Sequence, residues 1–399
     1  MPWKETDAMS EKREFIKAVM KKEETFKDIC RKYGISEKTG YKWWNRFQEM
    51  GIAGLSEETR APKRSPNMLD SDTTAELLGI RFKHPTWGAK KLQVLYERNH
   101  RGEEIPSISS ITRILGKAGQ IKRRRVKHAK VRTKRLKQQL KAEAPNDVWC
   151  IDFKGWWMSD GERCEPFTVR DKYSRYVLCA RLMRTKSAEA VKAVMQELFR
   201  EYGLPKAIHS DNGSPFAANN GVLGLTTLSA WWITLGIIPD RSEEGRPGQN
   251  GSLERMHGDM AKEIEGQHIP GGIRANQVLL DEWRKEYNEI RPNEAIGQKT
   301  PFELYRRSDE KYTGDYERID YGFGIEPRKV SSGGYISYHK HRIMVGRAFQ
   351  GLTLGLRPEE RGEGYGVYLA EFYLGKLDVM NESFIAYEGE ESTEEEKEG

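Results

Sequence analysis

Val148-Trp149-Cys150-Ile151-Asp152-Phe153 is the stretch that decides the fold, because it is a short apolar run that ends near a carboxylate. A run of this length is typical of a buried β-strand. Two further strand patterns follow at residues 167–171 and 176–182, with turn residues between the runs. Turns of that kind predict hairpins and antiparallel pairing. We therefore expect a sheet with Asp152 near the end of one strand.

Alternating helices and strands continue this region, which we delimit as residues 146–310. An amphipathic helix is predicted over residues 187–202, and Gly203-Leu204-Pro205 ends it. A fourth strand at residues 207–210 runs into Asp211-Asn212-Gly213, and a helix at residues 228–235 and a short strand at residues 236–239 come next. After a Gly-rich loop, a helix begins near Ser252 with Glu254 in its first turn. The pattern predicts an α/β domain.

Three carboxylates, Asp152, Asp211 and Glu254, thus stand at two strand ends and one helix start. Such a set suits phosphoryl transfer, which uses two divalent ions roughly 3.5 to 4 Å apart. Mg²⁺ prefers a few carboxylate oxygens and keeps waters for the substrate. Glu243 and Glu244 compete with Glu254 as the third ligand, although they precede the Gly-rich loop and lack the helix context.

Two other residues near these strands have open interpretations. Asp171 is either a fourth acidic group near the site or a turn residue that pairs with Arg175. His209, beside the fourth strand, is interpreted as a packed side chain rather than as a metal ligand.

The N-terminal region, residues 8–50, has the pattern of three short helices. In the turn Tyr33-Gly34-Ile35-Ser36, Gly34 suits a left-handed helix end and Ser36 can cap the next helix. That third helix is predicted to expose Lys38, Thr39, Tyr41, Lys42 and Arg46. A Gly-containing turn followed by a helix with polar and basic residues is typical of a helix-turn-helix that enters the major groove. A plain three-helix bundle is the alternative.

Residues 68–120 form a second helical region after a Gly/Pro/basic linker. Ser107 or Ser109 can cap a helix whose apolar face comprises Ile108, Ile111, Ile114 and Leu115. This pattern predicts a second module similar to a helix-turn-helix. A structural spacer is the alternative.

The charge distribution favours a polyanionic partner. The chain of 399 residues has a net charge of +7, and residues 121–141 hold eleven Lys or Arg and no acidic residue. This basic connector, which we extend to residue 145, includes Arg123, Arg124 and Arg125, and nucleic acid is the commonest polyanion that such a run attracts. Residues 388–399 hold seven Glu and one Lys, which we interpret as a solvated acidic tail.

Composition also excludes several classes of protein. The four cysteines are scattered without a Cys-x-x-Cys pair, so we expect a reducing compartment rather than a disulfide framework or a zinc knuckle. No apolar run is long enough to span a bilayer, and the N-terminus lacks the apolar core of a signal peptide. We therefore expect a soluble cytoplasmic protein.

The C-terminal region, residues 325–380, is Gly-rich and contains short alternating strands. These strands predict a small β-barrel. A purely structural module is compatible with this pattern.

Motif runs surround all three carboxylates. They are Trp149-Cys150-Ile151-Asp152-Phe153, His209-Ser210-Asp211-Asn212-Gly213-Ser214-Pro215-Phe216 and Gln249-Asn250-Gly251-Ser252-Leu253-Glu254-Arg255-Met256-His257. Downstream stand Trp283, Tyr287-Asn288, Arg291-Pro292-Asn293-Glu294-Ala295-Ile296-Gly297 and Thr300-Pro301. Together these runs resemble the DDE motif and the closing segment of insertion-sequence transposases related to retroviral integrases.

That resemblance implies a fold and an activity. The fold would be a multidomain chain with an RNase H-like catalytic core, in which Asp152, Asp211 and Glu254 are the catalytic residues and hold two Mg²⁺ or Mn²⁺ ions. The activity would be binding of the element's terminal repeats, cleavage at the element's end and transfer of the freed 3′-hydroxyl to target DNA. The resemblance also implies a bacterial, nucleoid-associated protein whose C-terminal strands bind DNA or a partner subunit. A homo-oligomer on DNA is implied as well, because two ends must be held together.

The sequence departs from the family pattern in two places. Forty-two residues separate Asp211 from Glu254, which is more than is usual, and we expect the extra length to loop out at residues 217–227. Ala261 stands seven residues after Glu254, where the family tends to have Lys, and Lys262 follows it. His257, which lies one turn beyond Glu254, and Lys262 are candidate DNA contacts.

The rival interpretation is a DNA-binding regulator that is derived from a transposase and is catalytically inactive. The presence of all three carboxylates favours the enzyme over this regulator.

Overall fold

The computed structural model describes residues 8–57, 69–121, 140–218, 221–242, 251–264, 270–314, 319–359 and 364–387. The chain divides into two compact units, Met1–Asp70 and Ser71–Gly399. Most of the basic connector, with Arg123, Arg124 and Arg125, lies outside the described residues, as do Glu243, Glu244 and the acidic tail.

The first unit contains three helices, α1 (Ala8–Lys21), α2 (Phe26–Lys32) and α3 (Glu37–Met50). The predicted turn is confirmed: Gly34 has a φ of 64°, and the Ser36 side chain accepts a hydrogen bond from the backbone N–H of Thr39. Capping of this kind satisfies a donor that a helix start leaves unpaired. The helices enclose a small core of Phe15, Ile16, Ile29, Cys30, Trp43 and Leu55.

The second unit opens with α4 (Ser71–Lys83), α5 (Ala89–Asn99) and α6 (Ile108–Lys117). Of the two candidate caps, Ser107 caps α6 by accepting from the backbone N–H of Ser110. Ile111 and Leu115 are buried as predicted, but Ile108 is 40% exposed. Ile108 is the first residue of α6, and so it lies beyond the turns that pack.

A mixed six-stranded sheet forms the centre of the second unit. Its strands are β1 (Val148–Phe153), β2 (Trp157–Ser159), β3 (Glu162–Asp171), β4 (Val177–Met183), β5 (Ala207–Ser210) and β6 (Ile238–Arg241). β3 pairs antiparallel with β1, β2 and β4, whereas β5 pairs parallel with β1 and β6. The predicted antiparallel pairing is confirmed. β2 and the first half of β3 were missed because their polar residues obscure the strand pattern.

Helices cover both faces of this sheet. They are α7 (Ala188–Tyr202), α8 (Thr227–Thr234), α9 (Gly251–Ile264) and α10 (Gly272–Glu289), and the short α11 (Pro301–Leu304) follows α10. Trp149 and Ile151 join the core formed with α7 and α8, whereas Cys150 joins the core formed with α9 and α10. Successive strand residues face opposite sides of a sheet, so Asp152 faces the α9 side with Cys150.

Residues 221–227, the larger described part of the stretch at 217–227, do not loop out as the sequence suggested. Val222–Gly224 form a 3₁₀ turn, and Leu225 is buried among the C-terminal strands together with Ala230 and Ile233 of α8. The Arg241 guanidinium, at the end of β6, donates to the carbonyls of Leu223 and Gly224. The apolar side chains of this stretch explain the difference, because burial stabilises them more than exposure in a loop would.

The C-terminal strands are β7 (Glu326–Lys329), β8 (Tyr335–Tyr338), β9 (His341–Met344), β10 (Thr353–Pro358), β11 (Tyr365–Leu369), β12 (Phe372–Asp378) and β13 (Ser383–Ala386). They form a five-stranded antiparallel sheet, in the order β13-β12-β11-β10-β7, and a separate β8-β9 hairpin. The predicted closed barrel is not confirmed, because β7 and β13 are edges within the described strands and do not join. A shared core includes Ile336 of the hairpin and Leu354 of the sheet.

No helix within the described ranges combines the length and the apolar character needed to cross a membrane.

Leu225→Ala should destabilise the second unit by about 2–5 kcal/mol, because it removes a buried side chain that joins α8 to the C-terminal strands. Urea unfolding followed by tryptophan fluorescence measures the effect. Leu140→Ala is the matched control, since Leu140 is 40% exposed and its truncation should cost no more than about 0.5 kcal/mol. Equal midpoints for the two variants would show that the 217–227 stretch does not support the fold.

Candidate active site

Parallel pairing of β1 with β5 places two carboxylates at one sheet edge. The register pairs Cys150 with His209, so the same alignment brings Asp152 level with Asp211 two residues further along each strand. The Oδ1 atom of Asp152 accepts from the backbone N–H of Phe153 at 2.7 Å, and Oδ1 of Asp211 accepts from that of Gly213 at 3.1 Å. These local bonds orient both carboxylates at the strand ends.

Glu254 enters the same neighbourhood from the first turn of α9, where its side chain is exposed. Burial, followed by the negative charges of Asp211 and Glu254, raises the pKa of Asp152 to about 7, although Lys186 opposes the shift. The backbone N–H of Phe153 also opposes it. The fold brings the three predicted residues close enough to interact, since both other carboxylates disfavour ionisation of Asp152.

The carboxylates do not form a complete metal-binding group as they stand. In the part of the chain that the structure describes, no group of three or more His, Cys, Asp and Glu side chains is arranged to hold an ion. The chemistry of the donors nevertheless fits Mg²⁺ or Mn²⁺, which bind carboxylate oxygens. The repulsion that raises the pKa of Asp152 is one that a divalent cation would relieve.

His257, a candidate DNA contact from the sequence, is buried behind Asp152. Its Nε2 lies 2.8 Å from the Thr168 hydroxyl, and its Nδ1 lies 3.8 Å from Oδ2 of Asp152. Burial, followed by the charges of Lys154 and Arg170, lowers the pKa of His257 to about 3, so the ring is neutral. This placement favours a role in supporting Asp152 over direct contact with DNA.

His209 is packed beside its strand, as expected. The buried ring lies 2.7 Å from Oδ2 of Asp240 through Nδ1 and 3.1 Å from the Ser242 hydroxyl through Nε2. It therefore joins β5 to the end of β6 immediately before Asp211.

Asp171 is a turn residue rather than a fourth acidic group of the site. Its fully buried carboxylate accepts from the backbone N–H groups of Asn146 and Ser174, both at 2.7 Å, and from the Ser174 hydroxyl at 2.5 Å. It lies opposite Trp149 in the β1–β3 register, at the end of β1 away from Asp152. The expected pairing partner, Arg175, directs its guanidinium to the Ser252 hydroxyl instead.

Sequence reasoning missed two residues of β3, Thr168 and Arg170. Both are buried and both contact α9, which carries Glu254. The available signal was a charged residue within an apolar strand pattern, because Arg is almost never fully buried without a partner.

The predicted DNA-facing residues of α3 divide by exposure. Lys38, Tyr41 and Lys42 are exposed, whereas Thr39 and Arg46 are partly buried. Tyr41 stacks on Phe26 with ring centroids 4.2 Å apart, and Lys42 lies 4.3 Å from the centre of the Trp43 ring. On α9, Lys262 is exposed and lies 4.0 Å from the Asp259 carboxylate.

Family models match five segments of the chain. Two integrase core domain models match residues 142–247 and 235–301. A helix-turn-helix domain model matches residues 11–64, a homeodomain-like domain model matches residues 39–115, and the model for the C-terminal domain of IS481 family transposases matches residues 326–384. The helix-turn-helix matches indicate DNA binding.

Individual relatives agree with these matches. An uncharacterized 31.7 kDa protein of insertion element IS407 from Burkholderia multivorans is 27% identical over 258 residues, which cover 63% of this chain and 87% of that protein. Transposase InsD of insertion element IS2D from Escherichia coli is 24% identical over 294 residues, which cover 70% of this chain and 93% of that protein.

Among solved structures, the catalytic core of HTLV-2 integrase in complex with magnesium matches with a TM-score of 0.33 and 13% identity, over 42% of this chain and 100% of that one. The family models and the sequence relatives, and not this weak structural likeness, identify the chain as an integrase-like transposase of the insertion-element type.

The raised pKa of Asp152 predicts a pH dependence of stability in the metal-free protein. The folded-state pKa of about 7 exceeds the ordinary value of 3.8. At pH values between these two, the folded state therefore holds a proton that the unfolded state has released. Stability should therefore fall as pH rises from about 4 through 7, and Asp152→Asn should flatten this part of the profile.

Thermal unfolding in EDTA between pH 4.5 and 8 measures this dependence. Asp309→Asn, at an exposed acid elsewhere in the second unit, is the control and should keep the wild-type profile. An Asp152→Asn profile parallel to that of the wild type would contradict the assigned pKa shift.

Proposed function

We propose that this integrase-like transposase binds the ends of its element, cleaves one strand at each end and transfers that strand to target DNA, with Asp152, Asp211 and Glu254 as its catalytic residues. The observation that carries the proposal is the β1–β5 register, which brings Asp152 level with Asp211 at one sheet edge. Glu254, in the first turn of α9, lies close enough to raise the pKa of Asp152. Their location within the segments matched by integrase core models supports it.

Asp152, Asp211 and Glu254 would hold two Mg²⁺ or Mn²⁺ ions. When bound, these ions supply activation of the attacking oxygen and stabilisation of the leaving oxygen. The protein's own part is to fix the ligands: the β1–β5 register aligns Asp152 with Asp211, and α9 presents Glu254. The exposed side of Glu254 leaves room for a DNA strand.

Two lysines add positive charge near these carboxylates. Lys186 acts on the pKa of Asp152, and Lys154 acts on that of His257, so both lie close to the proposed site. Lys186 also pairs with Glu165 at 2.6 Å, which fixes its position. Cations at this edge of the sheet would attract the phosphodiester backbone.

DNA recognition is assigned to the helical modules and the basic connector. The exposed side of α3, with Lys38, Tyr41 and Lys42, would enter the major groove, and Thr39 and Arg46 would support it. Arg123, Arg124, Arg125 and Lys262 would contact phosphates. Because two ends must be held for transfer, the active form would be a homo-oligomer on DNA.

The second candidate function is a DNA-binding regulator with an inactive core. The helix-turn-helix matches support it, because they indicate DNA binding and do not depend on cleavage. A regulator of this kind would bind the element ends tightly and leave them intact in Mg²⁺ or Mn²⁺.

Asp152→Asn, Asp211→Asn and Glu254→Gln should each reduce metal-dependent end cleavage by at least about a hundredfold, because each removes one proposed ligand. The assay uses purified protein and a labelled duplex with the ends that flank its own gene, in Mg²⁺ or in EDTA. End binding should stay within about twofold of wild type, because none of the three belongs to a helical module.

Glu289→Gln, at an exposed carboxylate on α10, is the matched control and should cleave normally. Normal cleavage by any of the three site variants would remove that residue from the catalytic set. Wild-type protein that binds ends without cleaving them would establish the regulator.

Lys38→Ala and Lys42→Ala should each weaken end binding and lower the slope of log affinity against log salt by about 1, because each removes one phosphate contact. Lys17→Ala, at an exposed position on α1, is the control. Fluorescence anisotropy between 50 and 200 mM salt measures the slope. If all three variants bind alike, α3 is not the DNA-binding helix.

A further inference from the structure

We infer that Thr168 and Arg170 of β3 are positioning residues for Glu254: they hold the first two turns of α9 against the sheet and thereby set the place of Glu254 relative to Asp152. This inference rests on the proposed function, in which Glu254 and Asp152 hold the same ions. Neither residue belongs to the carboxylate set itself.

Arg170 makes the first of two contacts with α9. Its side chain is buried, and its two terminal nitrogens donate to the Ser252 carbonyl at 2.8 Å and to the Ser252 hydroxyl at 2.6 Å. Arg175 donates to the same hydroxyl at 3.2 Å. A planar guanidinium can donate two bonds in a fixed geometry, which the single ammonium of a lysine does not reproduce. The two bonds therefore fix the orientation of Ser252 relative to Arg170 as well as its distance from it.

Thr168 makes the second contact. Its hydroxyl lies 3.1 Å from the carbonyl of Asp152 and 2.8 Å from Nε2 of His257. The hydroxyl has one proton, so when it donates to the Asp152 carbonyl, Nε2 of His257 must donate to the hydroxyl. A single side chain thus links the backbone of Asp152 to the helix that carries Glu254.

The two contacts lie on either side of Glu254. Ser252 precedes it by two residues and His257 follows it by three, while Thr168 and Arg170 are two residues apart on one face of β3. Two strand residues span roughly 7 Å and five helical residues roughly 7.5 Å, so the spacings match. In the β1–β3 register, Thr168 lies opposite Asp152.

Directional contacts matter here because three side chains of α9 make only apolar contacts beneath the helix. Leu253, Met256 and Met260 pack into the core beneath the helix, and such packing resists separation more than it resists small rotation or sliding. Glu254 itself is exposed. The bonds from Arg170 and Thr168 therefore determine where its carboxylate lies.

A third buried contact holds α9 nearer its C-terminal end and provides a control. Arg291 pairs with Asp259 at 2.7 Å and with Glu263 at 2.6 Å, five and nine residues beyond Glu254. Loss of this contact should weaken the packing of α9 as a whole without moving its first turn. Arg291→Lys thus separates general stability from the position of Glu254.

The experiment compares Thr168→Val, Arg170→Lys and Arg291→Lys in the full chain. Mn²⁺ alone is the probe, and its binding is measured from the electron paramagnetic resonance signal of the free ion. We expect the half-saturating Mn²⁺ concentration to rise about tenfold or more in Thr168→Val and Arg170→Lys, because residues that orient metal ligands commonly contribute this much. In Arg291→Lys it should stay at the wild-type value while the unfolding temperature falls.

End cleavage against Mg²⁺ concentration gives a second measurement. The two β3 variants should need about tenfold more Mg²⁺ for half-maximal cleavage and should approach the wild-type rate at saturating metal, with end binding unchanged. If Arg170→Lys does not fold, the isosteric Thr168→Val carries the test alone.

Three outcomes would overturn the inference. Wild-type protein that neither binds Mn²⁺ nor cleaves would defeat the proposed function and this inference with it. Wild-type protein that does both, beside β3 variants with unchanged metal dependence, would defeat the inference alone. An equal loss of Mn²⁺ affinity in Arg291→Lys would assign the effect to general loosening of α9 and would also defeat it.

Discussion

The parallel pairing of β1 with β5 is the constraint on which the rest of the structure depends. It aligns Asp152 and Asp211 at one edge, where burial and like charge together raise the pKa of Asp152 to about 7. Such an arrangement is unfavourable for folding by itself, because it keeps like charges close in a partly buried place. It persists because the strands beneath it are buried on both faces.

Polar residues of the sheet connect this strand pair to α9. Thr168 and Arg170 are buried polar residues of β3, and each one hydrogen-bonds to the helix that carries Glu254. Buried polar groups must be bonded, so each one specifies a single arrangement more strictly than an apolar residue would. The site is thus built from a parallel strand pair and a helix fixed to the neighbouring strand.

Some of the extra residues between Asp211 and Glu254 also pack within the second unit. Leu225 packs among the C-terminal strands, and Arg241 ties this stretch to the end of β6, beside the strand that leads to Asp211. The catalytic segment and the C-terminal strands therefore share a core through α8. This explains why the longer spacing leaves the sheet intact.

The sequence by itself determined most of the elements and proposed Asp152, Asp211 and Glu254 as the site. Apolar runs, helix caps at Ser36 and Ser107, and turn glycines are local signals. The strands β1 and β5 and the helices α1, α3, α6 and α7 could therefore be predicted within a few residues. The motif runs around Asp152, Asp211 and Glu254 pointed to the site in the same way.

Only the tertiary structure decided how these elements meet. It buried His257 against Thr168, placed Asp171 in a turn, packed Leu225 among the C-terminal strands and left the described C-terminal sheets open. Each of these outcomes depends on contacts between residues far apart in the chain. Local periodicity carries no information on which face of a neighbouring strand will offer a hydrogen bond, and that physical reason separates what could be predicted from what could not.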